Sequence, residues 1–144
     1  MTTLIRRAPL FVQDRGSGDT RMRGHVGALV WHSDRPEIVT IVLAAVAVDV
    51  TLNGFTAGLF DEYPEPSGGI SMWPHFDAAD SEWLVVDVEN ADADVQVTID
   101  PDRAFEFLAD VAIAACVGGV RLPEPVDVAE DLPFRPLRSE GGPL

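Results

Sequence analysis

Apolar stretches alternate along the chain with short polar segments rich in glycine and proline, a pattern typical of a sheet with tight turns. Residues 25–32 form the first predicted strand. A continuous apolar stretch follows from Ile38 to Val50. We interpret it as two buried strands, about 37–44 and 46–52, joined by a tight reversal near Ala44-Ala45. One long strand, or a short helix through the alanines, is an alternative for this stretch.

The second half of the sheet is predicted to begin after a turn at Asn53-Gly54, the strongest short turn signal in the chain. Residues 55–60 could be a hairpin return or a single helical turn. Residues 61–69, with two prolines and two glycines, indicate a loop. The strand Ile70 to Phe76 follows. Alternating apolar residues then predict a hairpin with strands 82–89 and 94–99.

One long helix is predicted to begin after Asp100 and to end near Val117. Asp100 can accept hydrogen bonds from the first amide groups of the helix, and Pro101 suits the first helical position. Gly118-Gly119 provides a left-handed stop. Two apolar strips have helical spacing, the first made of Phe105, Leu108, Ala109, Ala112, Ile113 and Cys116, and the second of Phe107, Val111 and Ala114. We therefore expect the helix to be covered both by its own sheet and by a neighbouring subunit.

The domain limits follow from these elements. Residues 1–24, with five arginines around a Gly16-Ser17-Gly18 break, are expected to form a flexible arm. Residues 25–119 are expected to form one α+β domain. Residues 120–144 contain five prolines, which predicts an extended and largely unstructured tail.

The charge of the chain changes what it can bind. The formal net charge is −14 and the pI is about 4.3. Residues 1–25 carry five arginines against two aspartates, whereas residues 26–99 carry thirteen acids and a single arginine. Such acidity argues against binding to phosphate backbones. The apolar run from Ile41 to Val48 is far too short to span a membrane, and the lone Cys116 fits a reducing cytoplasm.

No set of residues carries a catalytic signature. His32, Ser33 and Asp34 are the residue types of a hydrolase triad, but adjacent residues cannot reach its geometry. His25 and His32 should point to opposite faces of one strand and lie about 23 Å apart, which excludes a shared zinc ion. No glycine-rich segment precedes a helix, as phosphate binding requires. We therefore predict a protein that is not an enzyme and has no metal or cofactor.

The tryptophans are the best candidates for contacts with another protein. Trp73 precedes Pro74, and a proline within a sheet belongs on an edge strand or at a strand end. A tryptophan beside an edge proline suits an anchor for a partner. Together with the predicted second covering of the helix, this gives five candidate interaction residues: Trp31, Trp73, Pro74, Phe107 and Val111.

The order of these motifs resembles that of the SsgA-like proteins, actinobacterial regulators of sporulation-linked cell division. The similar segments run in the same order from about residue 25 to residue 116. They are the turn at 31–36 leading into Ile38, the stretch 50–59, the loop and strand 66–74 ending in Trp-Pro, the hairpin, and the start of the helix. The aliphatic middle strands, the arginine-bearing arm and the proline-rich tail differ from the family pattern. A divergent or phage-encoded relative fits those differences.

The resemblance implies a fold, a role and partners. The implied fold is α+β, with an antiparallel, Whirly-like sheet packed on the C-terminal helix. The implied role is that of a non-enzymatic adaptor in septation that recruits or organises FtsZ and forms homo-oligomers, with a trimer favoured. The implied location is the cytoplasm, at the division septum.

Two alternative functions are kept. The first is a single-stranded nucleic-acid module that uses a Whirly-like surface and the arginine arm, although the net charge argues against it. The second is a phage-encoded acidic protein that interferes with host division or defence.

Overall fold

A computed structural model describes residues 1–18, 21–44, 46–60, 66–76, 78–80, 82–91 and 93–123 of the chain. Within these residues the chain forms seven strands and two α-helices. In chain order they are β1 (Thr3–Asp14), β2 (Arg23–His32), β3 (Arg35–Val42), β4 (Ala47–Thr51), α1 (Leu52–Leu59), β5 (Ile70–Phe76), β6 (Glu82–Glu89), β7 (Asp94–Ile99) and α2 (Pro101–Gly118). The strands form one antiparallel sheet in the order β4-β3-β2-β1-β7-β6-β5. The predicted α+β fold with a C-terminal helix is confirmed.

The N-terminal segment is the largest correction. Residues 3–14 do not form a flexible arm but the central strand β1, which pairs with β2 on one side and β7 on the other. Its even-numbered side chains Leu4, Ala8, Leu10 and Val12 are buried. Arg6 interrupts this alternation with a charge and Pro9 interrupts it with a strand-breaking residue, so the period-2 pattern was hidden. The folded domain therefore begins well before residue 25.

The apolar stretch after β2 forms two strands, as one of its interpretations predicted. The amide of Leu43 donates to the carbonyl of Val46 at 2.8 Å, which closes the connection between β3 and β4. Residue 45, within the predicted reversal, lies outside the described residues. Both strands place alternate side chains on the same buried face, Val39 and Ile41 in β3 and Val48 and Val50 in β4.

The predicted turn at Asn53-Gly54 is wrong, because both residues belong to α1. The Thr51 hydroxyl caps this helix by accepting from the amide of Gly54 at 3.0 Å. A Cβ at Gly54 would collide with the end of the Met72 side chain, and one at Gly58 would lie 2.8 Å from Cδ1 of Leu84. Glycine is present at these positions so that the helix can lie close against β5 and β6.

The loop before β5 ends in a tight turn. Gly68 and Gly69 have φ angles of 63° and 75°, and the backbones of Ser67 and Ile70 exchange hydrogen bonds of 3.0 and 3.1 Å. Two positive φ angles between paired residues define a type I′ turn. Residues 61–65 of the predicted loop lie outside the described residues. The predicted hairpin of β6 and β7 is confirmed with the expected limits.

Helix α2 has the ends that the sequence predicts. The Asp100 carboxylate accepts from the amide of Asp102 at 2.9 Å, and Gly119 adopts the left-handed conformation with φ 67°. The buried side of α2, however, consists of Ala104, Phe107, Val111 and Ala115. The strip that contains Phe107 and Val111 therefore faces the sheet, whereas these two residues were expected to contact another protein.

The two faces of the sheet differ in their covering. Both helices pack on one face, where the ring of Phe107 meets that of Phe55 with centroids 6.3 Å apart. We call the other side the open face. Among the described residues, no helix covers it. Neither helix of the described ranges is long and apolar enough to cross a membrane. The predicted tail lies outside the described residues from residue 124 onward.

Candidate protein-interaction surfaces

Four of the five predicted interaction residues are buried, namely Trp31, Pro74, Phe107 and Val111. Trp31 is fully buried, and its indole N–H donates to the carbonyl of Pro36 at 3.1 Å. Phe107 and Val111 are buried beneath α2. Such side chains fill the core and present no surface to a partner, so this part of the prediction does not fit the structure. The error for α2 came from the choice of face: its two apolar strips were assigned the wrong way round.

The exposed side of α2 carries the apolar surface instead. We call it the helix patch; its members are Phe105, Ala112, Ile113, Cys116 and Val117, with Phe60 from the residue that follows α1. The rings of Phe60 and Phe105 make an edge-to-face contact with centroids 5.1 Å apart. Ile113 and Val117 are 63% and 84% exposed. After Asp110, α2 contains no charged or polar side chain apart from the Cys116 thiol, a composition typical of a covered helix.

A second apolar cluster lies on the open face. Phe11 of β1 and Trp83 of β6 make an edge-to-face contact with centroids 5.8 Å apart. Val85 is buried on this face although neither α1 nor α2 covers it, and Trp73 is its direct cross-strand partner in β5. Trp73 is half-buried, so part of its ring is accessible. Its predicted role as a contact residue stays a prediction.

Pro74 lies in an edge strand, as its sequence context suggested, but it does not end that strand. β5 continues to Phe76, and Pro74 pairs with Leu84 of β6. The amide of Glu89 donates to the carbonyl of Gly69, so alternate residues of β5 from Gly69 onward direct their backbone groups towards β6. The backbone groups of residue 74, an even-numbered position, point away from β6. Its missing N–H therefore falls on the free side of the sheet, where no hydrogen bond is lost, and its ring is buried.

Arg15 binds two carboxylates across the edge of the open face. Its guanidinium donates to Asp87 at 2.6 Å, to Asp94 at 2.7 Å and to the carbonyl of Val88 at 3.2 Å. The hydrogen bonds from Asp87 and Asp94 raise the pKa of Arg15 above its usual range, so the group stays charged at every working pH. The contact fixes the end of β1 to β6 and β7. It was not anticipated, because its members are distant in sequence.

No arrangement in the described part of the chain suits a metal ion. No three metal-ligating side chains come together there. His32 binds the Thr3 hydroxyl through Nδ1 at 2.9 Å, which leaves it engaged in a contact between β1 and β2.

Solved structures with the same fold exist, although neither a protein-family profile nor a curated protein sequence matches the chain. One was described with mutations in SsgB that correlate with longitudinal cell division during sporulation of Streptomyces coelicolor. It has a TM-score of 0.64 and 14% identity, and the match covers 78% of this chain and 86% of that one. Another is an SsgA-like sporulation-specific cell division protein from Thermobifida fusca, with a TM-score of 0.60, 14% identity and coverage of 90% and 92%. The chain therefore has the fold of the SsgA-like cell division proteins.

Proposed function

We propose that the protein is a non-enzymatic adaptor that acts in cell division through contacts with other proteins. The observation that carries this proposal is the fold, shared with two SsgA-like proteins over most of the length of each chain. The surface supports it, because the described residues offer exposed apolar side chains on α2 and on the open face.

The proposed partner is a cell-division protein such as FtsZ, and the proposed place of action is the division septum in the cytoplasm. Self-association through the helix patch is part of the proposal. It accounts for the exposed Ile113 and Val117, which an isolated subunit would leave in water. A homo-oligomer would leave Trp73 and the open face available to the second partner.

Co-sedimentation with FtsZ polymers tests the proposal directly. The purified chain should enter the pellet with polymerised FtsZ and remain in the supernatant without it. A fluorescent fusion expressed in a sporulating Streptomyces should form ladders at septa. Uniform fluorescence together with no co-sedimentation would contradict the role in division while leaving the fold untouched.

Trp73→Ala probes the contact residue within the same assay. Its matched control is Phe76→Ala, which removes an exposed aromatic ring from the same strand on the other face. Loss of co-sedimentation for Trp73→Ala alone supports a contact at Trp73. Equal binding by both variants excludes Trp73 from the interface.

A further inference from the structure

The central strand β1 is longer than its partner β7. β2 pairs with β1 from Thr3 to Val12, whereas β7 pairs with it only from Leu10 to Asp14. Residues 3–9 therefore have a strand on one side only. We call this segment the free edge of β1. It lies inside the sheet order, not at either end of it, because β7 stops where α2 begins.

The backbone groups of the free edge point outward at alternate residues. The amide of Ser33 donates to the carbonyl of Thr2. The backbone N–H and C=O groups of the even-numbered residues of β1 therefore point towards β2. The N–H and C=O groups of Thr3, Ile5 and Arg7 therefore point away from β2, towards the edge of β1 that no strand pairs with. The Ile5 carbonyl accepts from the Arg6 guanidinium at 3.0 Å, and no described residue bonds the amides of Ile5 and Arg7. Ile5 is 56% exposed.

The other long edge of the sheet is protected. In β5 the outward backbone groups of Ile70 bond Ser67, Pro74 has no N–H to offer, and Gly58 of α1 lies against Met72. Natural sheets block their edges in such ways to prevent unwanted pairing. At the free edge of β1, Pro9 stands at the inner end and the Arg6 guanidinium occupies the Ile5 carbonyl, but no described residue bonds the amides of Ile5 and Arg7. An edge with accessible amides at Ile5 and Arg7 is therefore able to accept a further strand.

A cavity lies beside this edge. It has a volume of about 380 Å³ and lies between β1 and α2. Its lining includes Arg6 and Ala8 from β1, and Arg103, Phe107 and Asp110 from α2. Side chains alternate between the two faces of a strand. A strand added to β1 would place every second side chain in this cavity and the others beside Ile5 and Arg7 on the open face.

The charged side chains near the free edge indicate which kind of strand it can bind. Around the cavity, Arg6 pairs with Asp110 at 2.8 Å, and Arg103 lies 4.0 Å from Glu106. Arg7 makes no ion pair with a described residue, so the edge carries one excess positive charge on an otherwise acidic chain. A second copy of β1 would bring Arg6 and Arg7 against their own equivalents, which is unfavourable.

We propose that the free edge of β1 binds an extended acidic segment of a partner protein, which adds as a strand and inserts side chains into the cavity between β1 and α2. The inference rests on the proposed adaptor function and names the surface through which it recruits a partner. Backbone pairing supplies affinity, Arg7 selects acidic side chains on the open face, and the cavity selects side chains of suitable size.

The probe is a fluorescein-labelled peptide of about seven residues in which valine and glutamate alternate. Fluorescence anisotropy should show saturable binding to the full chain below about 1 mM, and binding should slow hydrogen exchange at the amides of Ile5 and Arg7. A lysine version of the peptide should bind at least about tenfold more weakly, and so should a version with N-methylated backbone amides. Absence of binding, or equal binding of all three peptides, overturns the proposal.

Variants of the chain provide the second arm. Ile5→Pro removes one outward amide and, like the native Pro9, keeps every bond to β2; we expect at least about tenfold weaker peptide binding. Ile5→Thr is the matched control and should bind normally. If Ile5→Pro does not fold, the comparison of N-methylated and unmodified peptides on the native chain still decides. FtsZ co-sedimentation that survives Ile5→Pro contradicts this inference alone, whereas peptide binding without co-sedimentation contradicts only the division role.

Discussion

At the scale of single residues, a glycine in the middle of β2 allows two elements to approach closely. A Cβ at Gly27 would collide with the carbonyl oxygen of Val42 and with the side chain of Leu10. We expect Gly27→Ala to lower the free energy of unfolding by about 1–3 kcal/mol, because neither the backbone of β3 nor the packed Leu10 can move freely. Urea unfolding followed by circular dichroism measures the change.

Gly24→Ala is the control in the same strand. Its Cβ would lie 3.7 Å from the Phe11 ring, an ordinary contact on the open face. Stability should stay the same or rise by up to about 1 kcal/mol, since alanine loses less backbone entropy than glycine on folding. Equal destabilisation by both substitutions would contradict the packing role assigned to Gly27.

The Arg15 contact makes a second prediction at this scale. Arg15→Ala leaves Asp87 and Asp94 without their shared cation, and the Arg15 and Asp87 side chains are only 29% and 21% exposed. We expect a loss of about 1–2 kcal/mol in unfolding free energy. Arg35→Ala breaks an exposed pair with Asp49 at 3.4 Å and should cost less than about 0.5 kcal/mol. If Arg35→Ala lowered the unfolding free energy as much as Arg15→Ala, the contact of Arg15 with two carboxylates would add no stability beyond that of an exposed ion pair.

At the scale of elements, the orientation of β5 makes Pro74 dispensable for stability. Its position faces the free side of the sheet, so Pro74→Val restores an N–H without disturbing the pairing with β6. We expect unfolding free energy to change by less than about 1 kcal/mol. Ser71→Pro has the opposite parity and removes a bond to β6, so it should cost about 2 kcal/mol or more. Thermal unfolding measures both effects. A lower unfolding temperature for Pro74→Val than for Ser71→Pro would contradict the assigned register.

The elements also show what local sequence could and could not predict. The ends of α2 were predictable, because Asp100, Pro101 and Gly119 act within one turn of the helix. The side that it buries was not, since both apolar strips have helical spacing. Its rotation depends on packing against residues distant in sequence, such as the contact of the Phe107 ring with Phe55.

β1 and α1 were missed for related reasons. In β1, Arg6 belongs to the even-numbered positions that face the helices, but its side chain extends towards α2. A charged residue therefore occupies a position where the alternation requires an apolar one. In α1, the Asn53-Gly54 pair has the strongest local preference for a turn, yet the Thr51 cap and the burial of Phe55 and Leu59 favour a helix. Tertiary packing overrode the local preference in both cases.

At the scale of the whole molecule, the two proposed surfaces adjoin each other along α2. Arg103 and Asp110 face the cavity beside β1, and Phe105 and Cys116 lie on the opposite flank of α2, but at 100° per residue Ile113 and Val117 lie only about 60° and about 20° from Asp110 around the helix. A subunit bound to Ile113 and Val117 would therefore lie close to the cavity. A chain with a net charge of −14 also associates most easily where it carries no charge, and the last two turns of α2 are such a place.

Self-association through the helix patch gives the prediction at this scale. Light scattering should give the purified chain a molar mass that is a multiple of 15.6 kDa. Ile113→Glu should dissociate it to the monomer, because a charge in an apolar interface costs several kcal/mol unless it is paired. Folding should be unaffected, since Ile113 is 63% exposed. Val26→Glu places the same charge at a residue that is 77% exposed on the open face and should leave the mass unchanged. A monomeric native chain, or equal dissociation by both variants, would show that the helix patch does not join subunits.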